Sequence, residues 1–254
     1  MEAVVGVAKN KPQIHCITNY VTVNDCANAL LAVGASPIMA HHCEEVSEIT
    51  ASSRALLLNL GATEYYYAML IACNTADKHS IPIIIDPCGI SASKFRRDFC
   101  KKLVSEFKIT AIRGNFSEIL SLASNEKTST GLDSQIVESD EVSSVEKSTL
   151  RLANECGSII IASGEVDVAS DGISADRIYG GDSMMRSITG AGCMASCILA
   201  AFLSIENSLA QASECMKFIG NAASEAARAS RGSGSFRTAF IDSLYLNSHK
   251  NKSL

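Results

Sequence analysis

Five unbroken apolar runs, spaced along the first two thirds of the chain, restrict its folding options more than any other feature. They are Ala35 to Met39, Ala55 to Asn59, Ile81 to Asp86, Ile109 to Arg113 and Ser158 to Ala162. A strand with one wet face alternates apolar and polar residues, whereas a strand covered on both faces reads as a continuous apolar run. Helix-compatible segments lie between these runs, at Val23 to Val33, Glu64 to Lys78, Phe95 to Phe107, Ser117 to Ala123 and Asp140 to Cys156. Strand followed by helix, repeated, predicts parallel βαβ units in an α/β fold: a doubly wound, mostly parallel sheet flanked by helices. After Gly190 the pattern turns helical, with segments at Met194 to Leu203, Glu206 to Arg228 and Thr238 to Leu246. The polar stretch Ser124 to Ser134 reads as a surface connection, because the strand–helix rhythm resumes beyond it. The 254 residues, 47% of them hydrophobic, are enough for one large core, so 1–254 is read as a single domain.

In open α/β sheets, ligands gather beyond the carboxyl ends of the strands. Here those ends are polar or glycine-bearing, although the strands are apolar: Ala40-His41-His42, Asn59-Leu60-Gly61, Asp86-Pro87-Cys88-Gly89, Arg113-Gly114-Asn115 and Ser163-Gly164-Glu165. Asp86 and Glu118 are hard oxygen donors of the kind that hold Mg²⁺; the alternatives are a helix cap and a solvated first-turn acid. Arg113 offers a planar fork for phosphate, or else a surface ion pair, and Ser163 a phosphate contact or a turn cap. The run Ile188-Thr189-Gly190-Ala191-Gly192-Cys193 leads straight into an uncharged helical segment. Glycines allow close backbone approach, and a helix N-terminus favours an anion, although such a turn is also a common packing device. Cys193 falls in the first turn, facing the same spot. An anion cradle, a planar cation and two carboxylates on one edge add up to nucleotide-dependent phosphoryl transfer.

Several functions are disfavoured. A net charge of −5, with no basic cluster, argues against nucleic acid or an anionic membrane as partner. No run reaches the roughly 18 apolar residues of a membrane span, and Met1 to Lys11 lacks a signal-peptide core, so a cytoplasmic protein is expected. The ten cysteines form no C-x-x-C pair and are read as reduced, mostly structural thiols. His41 and His42 are read as loop residues, and Tyr65-Tyr66-Tyr67 as packing or a subunit contact.

Longer blocks carry a more specific signal. Ile14-His15-Cys16-Ile17-Thr18-Asn19-Tyr20-Val21, Asn28-Ala29-Leu30-Leu31 and Gly34-Ala35-Ser36-Pro37-Ile38-Met39-Ala40 open the chain. Asp86-Pro87, Arg113-Gly114-Asn115 with Ser117-Glu118, Gly164-Glu165-Val166-Asp167 and Thr189-Gly190-Ala191-Gly192-Cys193 follow. In content, order and spacing these resemble the hydroxyethylthiazole kinases, a branch of the ribokinase-like fold used in thiamine salvage, over nearly the whole chain. The resemblance implies ATP- and Mg²⁺-dependent phosphorylation of the hydroxyl of 4-methyl-5-(2-hydroxyethyl)thiazole. It places Met39, Asn19 and Gly190 around the thiazole, Arg113 and Ser163 on ATP, Asp86 and Glu118 on magnesium, and Cys193 as the proton acceptor. It also implies a homotrimer with the thiazole pocket at the subunit boundary. Two departures stand out. Cys88-Gly89-Ile90-Ser91 replaces a run of small residues after Asp86-Pro87, and Ala191 replaces a common threonine.

A helix N-terminus lowers a thiol's pKa, which predicts a Cys193 that ionises readily, orients the hydroxyl and accepts its proton without forming a covalent intermediate. The rivals are a kinase of the same fold acting on another alcohol such as a hydroxymethylpyrimidine, a thiol enzyme with Cys193 as nucleophile, and a sensor on a retired kinase scaffold. The thiol enzyme lacks a histidine near Cys193 in sequence; the sensor should have lost a carboxylate or the glycine loop, and all are present.

Overall fold

A computed structural model describes residues 2–124 and 138–249. The chain opens with α1 (Glu2–Asn10) and β1 (Gln13–Ile17), then α2 (Val23–Ala32), β2 (Ser36–Ile38), α3 (Val46–Ser52) and β3 (Ala55–Asn59). It continues with α4 (Tyr66–Lys78), β4 (Ile83–Asp86), α5 (Lys94–Glu106), β5 (Ala111–Asn115), α6 (Phe116–Ala123), α7 (Glu138–Cys156) and β6 (Ile159–Ser163). β7 (Asp167–Ser170) and β8 (Ala175–Ile178) precede α8 (Ala191–Leu203), α9 (Leu209–Ala229) and α10 (Ser233–His249). One eight-stranded sheet runs in the order β2-β1-β3-β4-β5-β6-β7-β8. Its pairings are parallel from β2 through β6 and antiparallel for β7 and β8. The mostly parallel, helix-flanked sheet and the helical C-terminal part are as the apolar rhythm predicts. Of the connection read at Ser124 to Ser134, residues 125–134 lie outside the described residues.

The central strands are apolar throughout because both faces are covered. Leu57, Ile84, Ala111 and Ile161 enter a core with α1, α2 and α8 to α10. Their neighbours Leu56, Leu58, Ile83, Ile85, Ile112 and Ile160 enter a second core with α4 to α7. Burying such a side chain fully contributes about 1.5–3 kcal/mol, so the alternation sets the register as well as the fold. α8 is enclosed on all sides: every residue from Ala191 to Leu203 except Gly192 is buried. That enclosure is why it carries no charge.

Three sequence expectations shift. Gln13–Ile17 is a full strand, although Gln13 and His15 break its apolar run. His15 is wholly buried and tolerated because Thr50 Oγ1 (2.8 Å) and the Ala40 carbonyl (3.0 Å) satisfy both ring nitrogens. A carbonyl only accepts, so Nε2 carries the proton, and burial holds the ring neutral. The β7–β8 hairpin, turning at Asp171-Gly172, extends the sheet by two strands that the apolar-run criterion passes over. β2 is only three residues long and sits at the sheet edge, shorter than the run Ala35 to Met39 suggests.

Candidate active site

The carboxyl ends of β1, β3 and β4 and the first turn of α8 meet in one cluster. Asn59 and Asp86 are the last residues of neighbouring parallel strands and stand in register. Asn59 Nδ2 donates to Asp86 Oδ2 at 2.7 Å and to Cys193 Sγ at 3.2 Å. Asn19, just beyond β1, donates from Nδ2 to Asn59 Oδ1 at 3.1 Å and lies 3.7 Å from Cys193 Sγ. Its own Oδ1 accepts from the backbone N–H of Val21 and Thr22 and from the Thr22 hydroxyl. Asn19, Asp86 and Cys193, singled out separately in sequence, therefore form one hydrogen-bonded group.

Electrostatics in this group differ from the sequence expectation at one point. Cys193 is not an easily ionised thiol: its hydrogen bond to Cys88 and its burial push its pKa up, against opposing bonds from Thr22 and Asn19. The helix N-terminus is outweighed. Cys88, on the receiving side of that hydrogen bond, is shifted down. Asp86 is almost fully buried, and burial pushes its carboxyl well above the ordinary range. The Cys193 thiol adds to that push and Arg113 opposes it.

Gly190 caps α8 with a left-handed φ of 82°. A Cβ there would stand 2.8 Å from Thr22 Cγ2, so the residue carrying the Asn19 contact also demands glycine. Gly190→Ala is expected to cost about 1–2 kcal/mol for the left-handed conformation alone. The check is a melting midpoint lowered by several degrees.

Arg113, on β5, donates from Nη1 to the Gly192 carbonyl at 3.0 Å, against the first turn of α8. Arg113 Nε and Ser163 Oγ are buried with no hydrogen-bond partner. Both side chains line a cavity of about 1000 Å³ beside the first turn of α8, together with Phe116, Gly164, Asp167 and Gly192. Buried polar atoms left without a partner, on side chains that line a cavity, suit a site for the oxygens of a phosphorylated ligand. Asn19, Met39, Asp86, Glu118 and Cys193 are not on that wall.

Glu118 has the cap role left open as an alternative for Asp86. With Asn115 it forms the capping box of α6, Oε2 accepting from Asn115 N–H at 2.8 Å and Oε1 from Gly89 N–H at 2.9 Å. Each oxygen keeps a lone pair, and the charge of Glu118 reaches Asp86. Met39 follows β2 and packs against the core that contains Cys193. Its loop is held by the His15–Ala40 bond and by His41 stacked on Tyr65 at 4.1 Å. His41 and His42 are exposed, as read. Sequence reasoning missed the part played by Asn59, whose only sign was a polar residue closing an apolar run.

Among the described residues, no three or more His, Cys, Asp or Glu side chains are grouped to hold an ion, and no helix is long and apolar enough to cross a membrane.

The profile of the hydroxyethylthiazole kinase family matches residues 4–249. A curated hydroxyethylthiazole kinase of Methanobrevibacter smithii is 39% identical, over 94% of this chain and 88% of the relative. The solved hydroxyethylthiazole kinase of Pyrococcus horikoshii superposes with a TM-score of 0.88 at 31% identity, covering 100% of this chain and 96% of that one. A ribokinase-like superfamily protein of Enterococcus faecalis, only 12% identical, shares the fold with a TM-score of 0.69 over 98% of this chain and 94% of its own. On the match along nearly its whole length, this chain belongs to the hydroxyethylthiazole kinase family.

Proposed function

We propose that the chain transfers the terminal phosphoryl group of ATP to the hydroxyl of 4-methyl-5-(2-hydroxyethyl)thiazole, in thiamine salvage. The observation that carries this reading is the pairing, at one sheet edge, of a cavity lined by Arg113 and Ser163, each with an unpartnered buried polar atom, with a hydrogen-bonded carboxylate–amide–thiol group. Arg113 and Ser163 would bind the nucleotide, with Arg113 also bonded to the helix start that faces the transferred group. Asn19, Met39 and Gly190 would border the thiazole, and Cys193 would face its hydroxyl.

The donor set fits Mg²⁺. Asp86 is a carboxyl group whose pKa is raised first by burial, and Glu118 adds a second carboxylate whose charge reaches it. Magnesium typically takes one or two carboxylates and fills its remaining positions with water and phosphate oxygens, so a larger protein cage is not required. When bound, it would neutralise charge on the transferring phosphoryl group. The rest falls to the protein. The hydroxyl oxygen attacks the γ-phosphorus, the bond to the bridging oxygen of ADP breaks, and the proton leaves late to the Cys193 sulfur. To take that proton Cys193 would act as its thiolate, which the Cys88 hydrogen bond and burial oppose and the Thr22 and Asn19 bonds favour. Among the described residues Asn19, Asn59, Cys88 and Thr22 surround its sulfur, none of them a histidine, which supports a proton acceptor over an attacking nucleophile.

The family profile over 4–249 and the continuous sheet support reading 1–254 as one domain. We also propose a cytoplasmic homotrimer with the thiazole pocket at the subunit boundary. The exposed Tyr20 and Val21, beside Asn19, supply apolar surface for such a contact. The test is ADP release with ATP, Mg²⁺ and hydroxyethylthiazole, beside hydroxymethylpyrimidine and ribose. Thiazole-dependent release that EDTA abolishes is the expected result. Turnover on a control alcohol alone would overturn the substrate, and thiazole binding without turnover would overturn the kinase reading.

A further inference from the structure

The Asn59 side chain is fully buried, and its amide uses its entire hydrogen-bonding capacity. Oδ1 accepts from Gly61 N–H at 2.9 Å and from Asn19 Nδ2 at 3.1 Å, while Nδ2 gives one hydrogen to Asp86 and the other to Cys193. A backbone N–H only donates, so the Gly61 bond settles which end of the amide is oxygen and turns the NH₂ group toward the carboxylate and the thiol. The local chain is shaped to permit this. A Cβ at position 61 would stand 2.7 Å from Asn59 Oδ1, so glycine is what lets the amide oxygen sit there.

We propose that Asn59 is the positioning residue of the phosphoryl transfer: it fixes the Cys193 sulfur relative to Asp86, so that hydroxyl and phosphate charge are handled at a set separation. The inference rests on the functional reading above. No other common side chain offers the same service at this length. An aspartate lacks both hydrogens, a serine has one, and a leucine has none. Two planar hydrogens on one nitrogen, diverging toward two acceptors, tie the groups into a single rigid unit. Orientation of this kind makes a large contribution to rate, and small displacements of a reacting group forfeit much of it.

The test compares wild type with Asn59→Asp, which keeps the oxygen for Gly61 and Asn19 and loses both donors, and with Asn59→Ser, which leaves less bulk if the aspartate variant fails to fold. The expected result is a kcat about 100-fold lower, with KM for thiazole and for ATP within about threefold and a folded protein by circular dichroism. The second readout needs no turnover: the rate at which iodoacetamide alkylates Cys193, followed by mass spectrometry, should change at least about fivefold once the amide no longer holds the sulfur. Alkylation of the exposed Cys43 should be unchanged. A folded variant with wild-type kcat or an unchanged Cys193 alkylation rate would overturn the inference. So would a parallel loss of kcat, both KM values and melting temperature, which marks a merely structural residue. A wild type without thiazole turnover, but with Asn59-dependent Cys193 reactivity, would sink the functional reading and leave the sulfur-holding role standing.

Discussion

Asp86→Asn is expected to abolish turnover, by about 10³-fold or more, while making the ligand-free protein more stable. The two effects share one cause. The Asp86 carboxyl is buried, and its pKa in the folded chain lies well above its ordinary value. Between the ordinary carboxylate range and that raised pKa, the folded state binds more protons than the unfolded one, so stability falls as pH rises through the window. Above the ordinary carboxylate range the ligand-free protein therefore carries a cost for this buried carboxyl that grows with pH. Asparagine removes the charge, keeps an oxygen to accept from Asn59 Nδ2, and relieves that cost. It also removes the anionic donor proposed for Mg²⁺. The check is a pair of melting curves at pH 5 and pH 8, each with and without Mg²⁺. Wild type should be relatively more stable at the acid end and should gain from Mg²⁺ mainly at pH 8. Asp86→Asn should melt higher than wild type at pH 8, show a flatter pH response and gain nothing from Mg²⁺. A variant less stable than wild type at pH 8 would contradict the assignment of Asp86 as a strained ligand.

Replacing Cys193 separates its two proposed tasks. Cys193→Ala should lower kcat by about 10²–10⁴, the usual range for a positioned proton acceptor, with little change in ATP affinity. Cys193→Asp should stay within about tenfold of wild type, since a carboxylate can take the same proton. The pH profiles sharpen the distinction. Burial and the Cys88 bond shift the wild-type thiol upward, so its working thiolate form grows as pH rises and kcat should climb through the alkaline range. A carboxylate at 193 is already ionised at neutral pH, so that limb should flatten. A dead Cys193→Asp together with a phospho-cysteine trapped on wild type would replace the proton-acceptor mechanism with a covalent one.

Legibility in the sequence followed double-sided burial. β3, β4 and β5 were readable because both faces are covered, and α8 because it is enclosed all round. β1 escaped the same criterion: His15 is polar, and only Thr50 and Ala40, 35 and 25 residues away, make its burial tolerable. β7 and β8 are short and antiparallel, and their burial is uneven, so no apolar run marks them. In the site, residue types were legible but their connections were not. That Asn19, Asp86 and Cys193 belong together depends on the β3–β4 register and on Asn59, and no local pattern encodes either. The raised Cys193 pKa was likewise hidden, because it depends on a thiol more than 100 residues earlier in the chain.

The enclosure of α8 has an evolutionary consequence. Its first turn carries Cys193, yet the helix is wedged between the sheet and other helices, so the backbone that bears this thiol cannot shift unless a large part of the core opens. Met39, proposed to border the thiazole, lies beyond a strand end in a loop that is not enclosed in this way. Substitutions there could reshape which alcohol is accepted while leaving the chemistry untouched. Chemistry and choice of substrate are thus free to diverge at different speeds along one chain.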